Sequence, residues 1–276
     1  LPGLDYLQHR QRGQQRRKML YLATGDGLLR GLDAADGSEQ FAYLPQALLA
    51  RAALASGSDD DALPLLDGAA ASAEVLVAGR WKTVLASGMG AGAQGLFALD
   101  ITDPVRFAQD GALWEFTDRD DAMIGNVRAP PGFARLNMGG KQGRPIYRDM
   151  LVVSSGYNNT QDDGKDTAAA SPAAAIFLLA LDKPAGAPWL LGSNYHRLKV
   201  PVRDDEGVVG AYALAPPALV AGIDGALSYL YAGDLQGNIW RIDLASGPPW
   251  KDDAGRKLVF VARDAQGRRQ SVTQQL

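Results

Sequence analysis

One pattern recurs four times along this chain and constrains its fold more than any other feature. An apolar strand leads into a glycine-rich turn, a second apolar strand ends in aspartate, and a further turn delivers an aromatic ring. The first copy is Leu20-Tyr-Leu-Ala-Thr-Gly-Asp-Gly-Leu-Leu-Arg-Gly-Leu-Asp33, followed by Gly37 and Phe41. The second runs from Val84 to Asp100 and is followed by Trp114. The third opens with Met150-Leu-Val-Val-Ser-Ser-Gly156, resumes at Ala175-Ile-Phe-Leu-Leu-Ala-Leu-Asp182, and is followed by Trp189. The fourth is Tyr229-Leu-Tyr-Ala-Gly-Asp-Leu-Gln-Gly-Asn-Ile-Trp-Arg-Ile-Asp243, followed by Gly247 and Trp250. The aspartates stand 67, 82 and 61 residues apart. A four-stranded propeller blade takes about 40–50 residues, so each step holds a blade plus an insertion, with room for more in the longest.

Each recurring element has a structural reason. A bulky ring at a repeated offset can fill the gap between twisted neighbouring sheets. A strand-ending aspartate can accept hydrogen bonds from the turn that follows it. Asp33, Asp100, Asp182 and Asp243 are therefore read as fold residues. The expected fold class is all-β: a β-propeller with at least four detectable blades, incomplete or modified as a ring, forming a single domain over 20–276. Four blades sit at the low edge of the roughly 4–8 known for closed rings, and an open ring would leave edge strands unpaired. The chain begins at Leu1, not Met, and stops at Leu276 after Gln270-Ser-Val-Thr-Gln-Gln; it is expected to be a fragment of a longer chain.

Composition supports a packed domain and removes several chemistries. Hydrophobic residues make up 46% and charged residues 21%, enough to bury a core. There are 28 basic and 31 acidic residues, a net charge of −3, which gives no reason to expect nucleic acid as a partner. No cysteine is present, so disulfides, thiol nucleophiles and cysteine–zinc sites are excluded. His9 and His196 are the only histidines. The longest apolar runs, such as Ile176 to Leu181, fall far short of the about 20 residues a membrane span needs.

The segments between repeats read as insertions. Pro45 to Ala55 is rich in alanine and leucine and predicts a short helix. Residues 1–19 read as a basic, solvated lead-in carrying Arg10, Arg12, Arg16, Arg17 and Lys18, with no aromatic interleaved among them for base stacking. Acidic groups at Asp59 to Asp61, at Asp118 with Asp120 and Asp121, and at Asp162, Asp163 and Asp166 read as solvated loops. Neither a Gly-x-Ser-x-Gly elbow nor a His-Glu-x-x-His pair occurs. Gly88-Met-Gly-Ala-Gly-Ala-Gln-Gly95 looks like a nucleotide loop, but the strand Leu96 to Ile101 follows it where a phosphate site needs a helix N-terminus.

The fourth repeat carries the most specific stretch. Tyr231-Ala-Gly-Asp-Leu-Gln-Gly-Asn-Ile-Trp-Arg-Ile-Asp-Leu244 closely resembles the C-terminal propeller segment of PilY-type proteins, the tip-associated adhesins of type IV pili. Leu20 to Pro45, Gly79 to Leu85, Gly90 to Pro104, Trp114 to Asp118 and Ser155 to Asn159 resemble other segments of that domain, in the same order. The resemblance implies a non-enzymatic module in pilus assembly, twitching motility and surface attachment, located at the bacterial surface or pilus tip, or in the periplasm or outer membrane in transit. Its implied partners are minor pilins or other tip proteins and a host or abiotic surface. The fingerprint residues Gly233, Asp234, Gly237, Asn238, Trp240, Arg241 and Asp243 are read as structural. Gly233 and Gly237 would permit the turn, Asn238 suits a left-handed or capping position, and Asp234 would satisfy turn amides. Trp240 would pack between sheets, and Arg241 would pair with a nearby acid.

The resemblance also implies a calcium loop just before Tyr231, with acids at 220, 222, 224 and 228. Here those positions hold Val220, Gly222, Asp224 and Ser228. Calcium takes about 6–8 oxygen ligands, and its affinity depends on how many are anionic, so this loop is expected to bind none. Two alternative readings share the repeat: a quinoprotein-type dehydrogenase, and a periplasmic outer-membrane assembly scaffold.

Overall fold

In a computed structural model, residues 3–55, 64–141, 144–160, 174–200, 213–250 and 255–276 are described. Among the described residues, fifteen strands form four separate antiparallel meanders. The first has three strands: β1 (Met19–Ala23), β2 (Leu29–Asp33) and β3 (Glu39–Tyr43). The second has four: β4 (Ala70–Val77), β5 (Arg80–Gly88), β6 (Gly95–Asp100) and β7 (Ala112–Thr117). The third comprises β8 (Gly132–Lys141), β9 (Arg144–Ser154), β10 (Ala174–Ala180) and β11 (Tyr195–Val200). The fourth comprises β12 (Ala218–Ala221), β13 (Leu227–Gly233), β14 (Asn238–Asp243) and β15 (Arg256–Val261).

The repeat is visible in the register. Asp33 lies opposite Met19, Asp100 opposite Val84, and Asp243 opposite Tyr229. Three anchors accept a turn amide: Asp33 from Ala35 at 2.8 Å, Asp100 from Thr102 at 3.0 Å, and Asp243 from Ala245 at 3.0 Å. Asp182 departs from the pattern. It lies beyond the end of β10 and accepts instead from the Arg148 guanidinium at 2.7 Å. Two other anchors also face a basic residue on or before the neighbouring strand, Arg17 for Asp33 and Lys82 for Asp100.

Three hydrophobic cores lie between consecutive sheets. Leu29, Phe41, Leu85, Phe97 and Leu99 join the first sheet to the second. Val84, Leu96, Phe116, Leu151, Phe177 and Leu179 join the second to the third. Met150, Val152, Ile176, Leu178, Trp240 and Ile242 join the third to the fourth. Side chains alternate across a strand, so each interior sheet feeds two cores at once. Phe177 and Leu179 enter one while Ile176 and Leu178 enter the other. This is why β10 is buried along its whole length. The repeated rings do span sheets: Phe41 stacks on Phe107 at 3.6 Å, Trp189 meets Trp114 edge-on at 4.9 Å, and Trp250 meets His196 at 5.0 Å.

The outward faces of the end sheets are different. Leu20 and Leu22 on β1 are 57% and 52% exposed, and Phe260 on β15 is 59% exposed. No strand of the first sheet pairs with the fourth among the described residues.

The helix expected at 45–55 is present as a 3-10 turn, Gln46–Leu48, continuing into a helix at Leu49–Ala55. The basic lead-in, read as solvated, buries no residue over Leu4–Gly13 but is helical there. Leu4–Gly13 forms a helix, α1, which docks on the second sheet through Tyr6 against Trp81 (ring centroids 4.6 Å) and the Trp81 indole N–H donating to Asp5 at 2.8 Å. The Gly88 to Gly95 stretch is the turn between β5 and β6. The acidic groups at 59–61 and 162–166 lie outside the described residues.

Candidate functional site

The fingerprint is a hairpin turn organised by one carboxylate. Asp234, between β13 and β14, is 6% exposed. Its Oδ1 accepts the backbone N–H groups of Gln236 at 3.0 Å and Asn238 at 2.8 Å. Its Oδ2 accepts from the Asn238 amide and the Trp240 indole, both at 2.9 Å. A buried carboxylate needs this degree of satisfaction, because an unpaired one is costly. Trp240 is 3% exposed and sits in the core between the third and fourth sheets.

The chain after β15 folds back over this turn. Val272 donates its N–H to the Asp234 carbonyl at 3.0 Å, and Ser271 Oγ donates to the Leu235 carbonyl at 2.6 Å. Arg269 donates to Asn238 Oδ1 at 2.8 Å. The two glycines make this approach possible. A Cβ on Gly233 would collide with Val272, and one on Gly237, at φ +83°, would lie 2.6 Å from the Gln270 carbonyl oxygen. Asn238 is the first residue of β14, and it contributes its backbone N–H and its side-chain amide without a left-handed backbone. The Arg241 guanidinium lies over the Tyr229 ring at 5.2 Å. Sequence reasoning sought an acid for it; the partner observed is an aromatic ring two residues along the neighbouring strand from its paired position.

Just before the fingerprint, β12 and β13 are joined by a tight hairpin. Of the four positions where the resemblance places acids, only Asp224 has a carboxylate. Its Oδ1 accepts the Ala226 N–H at 3.1 Å, and its Oδ2 accepts the Tyr147 hydroxyl at 2.8 Å. Val220 presents an aliphatic side chain that is 43% exposed. Among the described residues, no three His, Asp or Glu side chains are grouped as a metal site.

The family model for the PilY1 beta-propeller domain matches residues 2–267. The chain belongs to the PilY1 β-propeller family. Type IV pilus biogenesis factors PilY1 from two strains of Pseudomonas aeruginosa are 31% and 32% identical to it, over 88% and 91% of this chain. A Xylella fastidiosa PilY1 homolog is 27% identical over 92% of it. The crystal structure of the Pseudomonas aeruginosa PilY1 C-terminal domain superposes with a TM-score of 0.72 at 27% identity, covering 98% of this chain and 51% of that one. The chain spans 18% and 19% of the length of the two Pseudomonas relatives.

Within this PilY1-family chain, one cleft joins three sheets. It encloses about 400 Å³ and is lined by Tyr43, Trp114, Glu115, Asp120, Lys183 and Trp189, among others. Glu115 acts as a bolt here. Its carboxylate accepts the Tyr43 hydroxyl at 2.7 Å and the Gln46 and Ala47 amides at 2.6 and 3.2 Å. Its carbonyl accepts the Trp189 indole at 2.8 Å. Burial lowers the Lys183 pKa and raises that of Asp120. The Lys183 ammonium sits 5.0 Å over the Trp189 ring. Asp121, read as part of a solvated group, is buried and accepts from Arg197 and the Tyr195 hydroxyl. Sequence reasoning missed Glu115 and Tyr147. Both act between sheets through partners 72 and 77 residues away, and no local pattern announces such pairs.

Proposed function

We propose that this propeller is a non-enzymatic module of a type IV pilus biogenesis factor, acting at the bacterial surface or pilus tip by binding other pilus components and supporting twitching motility and attachment. The observation that carries this reading is the family match over 2–267, together with the Asp234–Trp240 fingerprint turn inside it. Within the cleft, the Glu115 carboxylate is held as a structural tie, not as a free acid or base. Both Glu115 carboxylate oxygens are committed to hydrogen bonds from Tyr43, Gln46 and Ala47. No helix among the described residues is long and apolar enough to cross a membrane. The test is deletion of the region encoding the propeller in its native bacterium, scored for surface pili and twitching. Loss of both, restored by the wild-type gene, is the expected result. Unchanged piliation and motility would refute the reading.

A further inference from the structure

We infer that the β12–β13 hairpin binds no calcium and is instead fixed by a protein-only relay that runs across three sheets. The relay starts on β4, where the Leu76 N–H donates to Asp149 Oδ2 at 2.7 Å. Asp149 on β9 also accepts Arg135 Nε at 3.1 Å. The Arg135 guanidinium lies 6.0 Å from the centre of the Tyr147 ring, and the Tyr147 hydroxyl reaches across to Asp224. Asp224 then holds the hairpin from inside by accepting the Ala226 amide, while Gly222 N–H donates to the Ala226 carbonyl at 2.7 Å.

Three observations disfavour an ion at this position. The site has one carboxylate, against the about 6–8 oxygen ligands calcium takes. A Cβ on Gly222 would lie 2.5 Å from Ser228 Oγ and 3.2 Å from Asp224 Oδ1, so these three positions converge, but Gly222 brings no carboxylate to them and Ser228 only a neutral hydroxyl. The other carboxylates facing the neighbouring cavity are committed: Asp5 to Trp81, Glu74 to His9, Arg16 and Thr83, and Asp149 to Arg135 and Leu76. The Tyr147–Asp224 hydrogen bond is the largest cause of both a raised tyrosine pKa and a lowered aspartate pKa.

The test combines calcium titration by calorimetry, after chelator treatment, with amide hydrogen exchange across the hairpin. The inference expects no stoichiometric heat and the same protection at Gly222 and Ala226 in calcium as in chelator. It also expects Tyr147→Phe to raise exchange at these two amides several-fold while the melting curve stays close to wild type. One-to-one calcium binding that Asp224→Ala abolishes would overturn it. So would unchanged hairpin exchange in Tyr147→Phe. The wild-type comparison of calcium with chelator needs no variant to fold.

Discussion

Asp234 concentrates more structural consequence than any other fingerprint residue, because four donors converge on its two oxygens. Asp234→Asn would turn an amide NH₂ toward donors and leave buried N–H groups unpaired, a loss of roughly 1–3 kcal/mol. Trp240→Ala removes a core ring as well as one of those donors and should cost about 3–5 kcal/mol. The two residues touch, so the double variant should lose less than the sum in denaturant unfolding. Strict additivity would show that the turn and the core act separately. That Trp240 packs inside and Asp234 serves turn amides was readable in the sequence, because both roles are local. The indole-to-carboxylate bond and the Arg241–Tyr229 stack depend on strand register, which the sequence did not specify. His196 is a second test at this scale. Burial, then the Arg148 charge, lowers its pKa. The unfolded chain therefore takes up this proton more readily, and stability should decline as pH falls below about 6.5. His196→Leu should flatten that decline when unfolding free energy is followed from about pH 7 to 5; a slope identical to wild type would contradict it.

At the scale of elements, the strands were readable and α1 was not. The apolar runs around the four anchors became β1–β2, β5–β6, β9–β10 and β13–β14. In the two interior sheets, alternation between two cores leaves a continuous hydrophobic signal. α1 buries no residue fully and is polar around most of its surface, so it lacks the apolar stripe that marks a helix in sequence. It is held from outside, by Trp81 on β5 and by the His9 and Arg16 contacts to Glu74. Trp81→Ala should free α1, raising hydrogen exchange over 4–13 while lowering global stability on the order of 1 kcal/mol. Retained protection in that helix would show that Glu74 alone suffices to dock it.

Across the whole molecule, the order of the sheets follows the order of the repeats, which is why the fold class could be read from four aspartates and four rings. The bolts between sheets could not. Glu115 ties Tyr43 at the end of β3 to its own strand β7 and, through its carbonyl, to Trp189 beyond β10. Glu115→Ala should cost roughly 2 kcal/mol by removing the acceptor that Tyr43, Gln46 and Ala47 share. Its signature is regional: exchange should rise in β1–β3 and stay unchanged in β12–β15. A uniform rise would mean that the sheets unfold as one unit.

The three cores act in series, each gripping one sheet to the next, and among the described residues none joins the first sheet to the last. Tension applied between the two end sheets would pass in turn through each junction, its core and its cross-sheet hydrogen bonds together. The resistance of this assembly to such a pull would then be that of its weakest junction, and strengthening any other would leave the breaking force where it was.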